Sequence, residues 1–216
     1  MIENKKDLKR FLKIERMTYK KIGYVNIFKS ILNQSEIGYI YRYVKLLRMD
    51  EYYSNTKKGL YGKLKKAIIR RKRNIIGLKL GINIPINTFD IGLTIYHANG
   101  IIVNSKVEIG KYCKLHGNNC IGNDGKNNDL VPIIKDNVDI GVGAKIIGEV
   151  YIGNNTNIGA NAVVLKGCYK DGAVLVGIPA VNKKVILGDE NERKDWNFGY
   201  YVYSQHEWKF FKTGDN

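Results

Sequence analysis

From Ile134 onward an aliphatic side chain returns every six residues, at Ile134, Ile140, Ile146, Ile152, Ile158 and Val164. Four positions after each of the first five stands a small or β-branched residue: Val138, Ala144, Val150, Thr156 and Ala162. Glycine follows directly in Ile140-Gly141, Ile152-Gly153 and Ile158-Gly159. A six-residue step fits neither the 3.6-residue turn of an α-helix nor a heptad seam. It fits a solenoid in which three hexads make one coil of three short strands meeting at turns: a parallel β-helix of triangular section. The anchor points inward, the small residue four positions on fills the narrowing corner, and Gly and Asn serve turns with positive φ. An earlier run, Val103, Ile109, Leu115 and Ile121, keeps the same step one residue out of phase. An insertion must separate the two runs, and the polar, glycine-containing residues 123–132 supply it.

The rest of the chain is organised differently. Residues 1–22 are polar and basic, with a weak helical recurrence at Leu8, Phe11, Leu12 and Ile14. A stronger one over 25–47 predicts one or two helices with a break near 33–35. A further helix is expected over 59–74, with Leu60, Leu64, Ala67 and Ile68 as its apolar stripe. Its other face is cationic, and no acidic residue occurs between Glu51 and Asp90. Helical spacing stops in 77–85. The expected organisation is therefore a helical, basic region over 1–76, a β-helix over 77–180 with its loop at 123–132, and a capping tail over 181–216. Aromatic residues crowd that tail, from Trp196 and Phe198 to Phe210 and Phe211, a density unlike that of disordered chain.

Bulk properties narrow the partners. A formal charge of +16 over 216 residues points to an acidic partner or a phosphate-bearing cofactor. Cys113, Cys120 and Cys168 follow no metal or redox spacing and read as small buried hydrophobes in a reducing, cytoplasmic setting. The start of the chain has no apolar core of a secretion signal, and no run is long enough to span a bilayer.

Several segments resemble the left-handed β-helix acyltransferases, the hexapeptide-repeat family, over about residues 77–185. The likeness is nearest the serine acetyltransferase branch and, within it, the O-acetyltransferases of polysaccharide gene clusters. It is carried by Gly92-Leu93-Thr94-Ile95-Tyr96-His97-Ala98-Asn99-Gly100-Ile101, by Asp124-Gly125-Lys126, by 140–148 and 158–164, and by Gly177-Ile178-Pro179-Ala180. The resemblance implies a mainly β, left-handed parallel β-helix, a homotrimer with active sites between adjacent prisms, and acetyl-CoA as the co-substrate, with no metal. His97 falls at the family's general base, the role of a group that takes a proton near neutral pH. Val142, Gly143, Ala160 and Asn161 match backbone contacts to pantetheine; Gly125 and Lys126 match the loop. Lys166 and Lys184, with Lys145 and Lys183, are candidates for the phosphates.

Departures from the serine enzymes bear on the acceptor. Their Asp before the catalytic His is Tyr96 here, and their Arg-His pair aligns with Leu130 and Val131. The Asp that pairs with their catalytic His aligns with Asn83, which can still orient an imidazole. His116, about one coil after His97, is expected to set a second imidazole beside the first and to orient acceptor or loop. Because charges that would hold an amino acid are missing, the expected acceptor is a sugar hydroxyl of a surface polysaccharide or its precursor. Two alternatives stay open: a serine O-acetyltransferase, and a non-catalytic scaffold meeting anionic membrane or acidic glycan through the basic helix. An N-acetyltransferase is a further variant. Nucleic acid is not among the expected partners.

Overall fold

The computed structural model describes residues 1–23, 29, 32, 35–57, 59–183, 200–204 and 207–211. Five coils stack. The first holds β1 (Ile82–Asn83), a bridge at Phe89 and β2 (Thr94–Ile95). The second holds β3 (Ile101–Val103), β4 (Glu108–Ile109) and β5 (Lys114–Leu115). The third holds β6 (Cys120–Gly122), β7 (Ile133–Ile134) and β8 (Asp139–Ile140), and the fourth β9 (Lys145–Ile147), β10 (Tyr151–Ile152) and β11 (Asn157–Ile158). The fifth has β12 (Val163–Val164), a bridge at Cys168 and β13 (Val174–Gly177). Each coil gives one strand or bridge to each of three parallel faces: β1-β3-β6-β9-β12, β4-β7-β10, and β2-β5-β8-β11-β13. β14 (Ala180–Asn182) then turns back antiparallel on β13.

The six-residue anchors behave as their spacing predicts. Ile134, Ile140, Ile146, Ile152, Ile158 and Val164 are all buried, and so are Val138, Ala144, Val150, Thr156 and Ala162. Thr156 is tolerated because its hydroxyl donates to Gly153 O at 2.9 Å. Asparagine occupies corners that need a left-handed backbone, a conformation its short polar side chain tolerates. Asn137 and Asn155 have φ of 57° and 55°. They are joined side chain to side chain at 2.8 Å. The phase shift also has its expected cause. Leu115 pairs with Ile140 and Ile140 with Ile158, so the third coil is the longer one. Its extra length is the loop over 123–132.

Above the first coil lie α1 (Lys5–Gly23), α2 (Glu36–Thr56) and α3 (Leu60–Leu80). Ser35 caps α2, its hydroxyl accepting from Gly38 N. The top coil of a solenoid has strand N–H and C=O groups with no coil above them. Helix side chains reach down to these groups. Tyr19 Oη accepts from Ile95 N–H at 2.9 Å and Tyr43 Oη from Ile84 N–H at 3.1 Å. Arg48, fully buried, donates to Phe89 O at 2.8 Å and Asp90 O at 2.7 Å. Glu15 and Glu51 hold its guanidinium at 2.8 and 3.0 Å, and its cation sits over the Phe11 ring at 5.0 Å. Tyr19, Ile40, Tyr43, Val44, Leu47, Ile76 and Leu80 join the core of the prism, so cap and coils share one apolar interior.

Two details differ from the sequence reading. Helix α3 does not stop near residue 74; it runs through Gly77 to Leu80 and ends at Gly81, whose φ is 64°. A Cβ at Gly77 would lie 2.7 Å from Ile82 O and 3.1 Å from the Tyr43 ring, so the glycine permits close docking rather than marking the helix end. The buried face of α3 is also not the expected one. Gly62, Ile69, Ile76, Gly77 and Leu80 pack inward, whereas Leu60, Leu64 and Ile68 are exposed.

The hairpin β15 (Tyr200–Ser204) and β16 (Glu207–Phe211) is antiparallel. The tail's aromatic side chains, Lys184, and much of the stretch 24–34 lie outside the described residues.

Candidate active site

Coil geometry sorts the candidate residues onto the edges of the prism. The edge between the β2-β5-β8-β11-β13 face and the β1-β3-β6-β9-β12 face carries His97, Gly117, Val142, Gly143, Ala160 and Asn161. Backbone hydrogen bonds run along it: Asn118 N to Asn99 O at 2.7 Å, Gly143 N to Gly117 O at 2.9 Å, and Asn161 N to Val142 O at 2.8 Å. The stack there is close. A Cβ at Gly143, φ 76°, would stand 2.0 Å from Asn161 Oδ1, and one at Gly117, φ 106°, 3.1 Å from His97 O. Glycine is needed at both positions for space and for backbone conformation.

Gly125, Lys126 and Lys166 lie on another edge, between the β1-β3-β6-β9-β12 and β4-β7-β10 faces. The loop there is tied by Asp124, whose Oδ1 accepts from Lys126 N at 2.9 Å and Asn127 N at 3.4 Å. Those backbone donors, that of Lys126 first, hold its carboxyl below the usual range. Lys106 pairs with Asp129. One prism therefore does not bring the loop residues and His97 together.

His97 follows β2 and is open to solvent, its side chain 71 % exposed. Its Nδ1 faces Glu36 Oε2 at 3.3 Å, and Glu36 Oε1 accepts from Ala98 N–H at 2.7 Å. Glu36 sits in the first turn of α2, where the helix dipole favours a carboxylate. The carboxylate thus clasps His97 by ring and by backbone. With Nδ1–H donating to Glu36, Nε2 keeps its lone pair and faces outward. The histidine opens onto a cleft of about 740 Å³ lined by Lys21, Ile22, Ser35, Glu36, Ile37, Tyr96 and His97.

Two expectations for this site are corrected. The partner of His97 is Glu36 and not Asn83; Asn83 lies on β1, exposed, paired with Ile102 on a different face. The second correction concerns the histidines. Ile95 pairs with Leu115, which sets Tyr96 rather than His97 over His116. The Tyr96 and His116 rings stack at 4.5 Å. Asp139 accepts from His116 Nε2 at 2.7 Å and from Lys114 Nζ at 3.1 Å. His116 thus supports Tyr96 from below. Sequence reasoning missed Glu36 because it lies 61 residues from His97, in a helix without a repeat. Its local mark is a Ser-Glu pair at a helix start, which many helices share. Among the described residues no group of three or more metal-ligating side chains is present, and no helix is long and apolar enough to cross a membrane.

No family model matches the chain. The serine acetyltransferase of Synechococcus elongatus is 34% identical over 122 residues, 56% of this chain and 50% of that enzyme. That of Staphylococcus xylosus is 35% identical over 122 residues, 56% of each. The chain is similar to serine acetyltransferases. It spans about half the length of these curated relatives. Among solved structures, a serine acetyltransferase in complex with CoA is 26% identical, covering 67% of this chain and 57% of the other, with a TM-score of 0.54. The soybean serine acetyltransferase apoenzyme has a TM-score of 0.65 at 22% identity, over 82% of this chain and 69% of its own. The second likeness shows the fold, the left-handed β-helix that the family resemblance implied.

These findings overturn the sugar hydroxyl as acceptor: the relatives and neighbours above are named for serine. The physical reason lies in the cap. The positions that lack charge, Tyr96, Leu130 and Val131, all lie in the coils or their loop. The cleft draws its charges, Lys21 and Glu36, from the helices instead.

Proposed function

We propose that the chain is an acetyl-CoA-dependent O-acetyltransferase that acylates the hydroxyl of serine. The observation that carries this reading is the Glu36–His97 clasp, with Nε2 of His97 open to a cleft that also presents Lys21. Lys21 offers the carboxylate of an amino acid a cation in that cleft. The names of the similar enzymes, one of them solved with CoA, support the same substrates.

The chemistry follows from the side chains. His97 Nε2 takes the proton of the serine hydroxyl as its oxygen attacks the thioester carbon. Glu36 steadies the imidazolium through Nδ1, as a carboxylate does for a catalytic histidine. Backbone N–H groups of the glycine-rich edge are the donors suited to the oxyanion. The C–S bond breaks as the carbonyl reforms, and the imidazolium returns its proton to the leaving thiolate. The products are O-acetylserine and CoA. Val142, Gly143, Ala160 and Asn161 continue the His97 edge and are assigned to the pantetheine arm. Val142 and Ala160 are exposed there, and the residues beside them are small or turn-forming.

Gly125, Lys126 and Lys166 can join this site only from a neighbouring prism, which favours a homotrimer. Ile102 and Val142, apolar yet exposed on the face and edge beside His97, suit such a contact. The three free thiols, Cys113, Cys120 and Cys168, suit a reducing, cytoplasmic setting. Incubation of the purified chain with acetyl-CoA and L-serine, read by mass spectrometry and CoA release, tests the reading. O-Acetylserine is expected, and His97→Ala is expected to lower kcat by about 10²–10⁴-fold. Absence of O-acetylserine, or a His97→Ala variant as active as the parent, overturns it.

A further inference from the structure

Helix α3 packs on the rest of the molecule with one narrow face and leaves another unpartnered. Leu60, Leu64, Ile68, Ile75 and Leu78 follow one another at steps of four, four, seven and three, so they form one stripe. All are exposed, Leu60 and Leu78 by 86% and 85%. The stripe lies opposite the buried row of Gly62, Ile69, Ile76 and Leu80. Lysines border it on both sides, Lys63 along one margin and Lys72 and Lys79 along the other, with Arg71 within it. None of these four cations has an acidic partner among the described residues. Arg70 and Arg73 are different: Asp50 holds them at 3.2 and 3.0 Å, on the packed side.

A solvated helix face has no use for five large aliphatic side chains in a row. A second copy presenting the same face would set these cations against themselves, since no acidic residue lies between Glu51 and Asp90 to answer them. An acidic glycan would meet the lysines and leave the stripe bare. A leaflet of anionic lipid satisfies both, its headgroups pairing with the flanking cations while the aliphatic row enters the acyl boundary.

We propose that α3 is a peripheral membrane-docking helix for anionic lipid surfaces, applied through Leu60, Leu64, Ile68, Ile75 and Leu78 and their cationic margins. The proposal rests on the surface of α3 and not on the acetyl-transfer reading, so either can fail without the other.

Flotation of the 216-residue protein with phosphatidylcholine vesicles, with and without phosphatidylglycerol, is the test. Two variants are compared: Leu64→Ser/Ile68→Ser/Ile75→Ser for the stripe and Lys63→Gln/Lys72→Gln/Lys79→Gln for its margins. All six positions lie on the outer faces of α3, and circular dichroism checks that each variant folds. The parent is expected to float only with the anionic vesicles, and each variant to bind at least about tenfold more weakly. Assembly size by light scattering and serine acetylation with soluble substrates are expected to stay unchanged. The proposal is overturned by no flotation, by equal binding to both vesicle types, or by parent-like flotation of either variant. A stripe variant that lowers assembly size overturns it in favour of a contact between copies. Parent-like binding of the stripe variant to an acidic polysaccharide, without vesicle binding by the parent, overturns it in favour of a glycan.

Discussion

The coils and the helical cap solve the same problem, burying backbone and side chains, in opposite ways. Within the coils the backbone contacts repeat at one coil's distance, and each inner strand pairs with the coil before and the coil after. Loss of one methyl group there is a local matter. In the cap a handful of long-range polar contacts carry the junction, and Arg48 is its centre, touching α1, α2 and the first coil at once. The lesson is that a periodic scaffold tolerates small damage anywhere along its length, while its end depends on a few side chains that no repeat specifies.

The largest effect expected from this contrast is at Arg48. Arg48→Ala leaves Glu15 and Glu51 buried without their cation, a change that costs about 3–5 kcal/mol. Ile152→Val, inside the prism, costs about 0.5–1.5 kcal/mol. Denaturant unfolding of both variants checks the difference, and equal losses would erase the contrast. A second effect is one of pH. Burial pushes the Glu15 carboxyl up to about 7, against the pull of Arg48, and among the described residues its Oε2 has no hydrogen-bond partner. The folded chain then keeps a proton that the unfolded chain loses near its ordinary value of 4.5. The stability this proton contributes is complete below about 4.5 and is lost as pH rises through about 7. Unfolding midpoints measured across that window are expected to fall in the parent and to lose this slope in Glu15→Gln.

How much of this was legible in the sequence follows the same division. The hexads at 103–121 and 134–164 revealed the coils, the insertion and the inward residues, because periodicity is itself the packing rule. His97, Val142, Gly143, Ala160 and Asn161 are candidates that the family resemblance supplies, and the coils set them on one edge. Glu36, Arg48 and Tyr19 were not found, because a contact between a helix and a distant turn leaves no period behind. The exposed stripe of α3 was misread for a related reason. Periodicity located an apolar face, but burial is decided by which face can approach closely, and Gly62 and Gly77 made that the other one. The acceptor was misjudged because the charges of the cleft come from Lys21 and Glu36, in the part of the chain without a repeat.

The smallest effect expected concerns a thiol inside the prism. Burial pushes the Cys113 thiol up to about 12. Cys120 and Cys168 are only partly buried. Since the thiolate is the reactive form, iodoacetamide is expected to modify Cys120 and Cys168 in the folded protein and to spare Cys113 until it unfolds. Peptide mapping reads the result, and rapid modification of Cys113 would show that the coils open locally.

The claim that the cap completes the catalytic site is tested most directly by steady-state kinetics of Glu36→Gln with acetyl-CoA and L-serine. The glutamine keeps size and hydrogen bonding but cannot stabilise the imidazolium. The account predicts a kcat lower by about tenfold or more, with the thermal midpoint and the KM for acetyl-CoA close to those of the parent. An unchanged kcat would contradict it and return His97 to the coils alone.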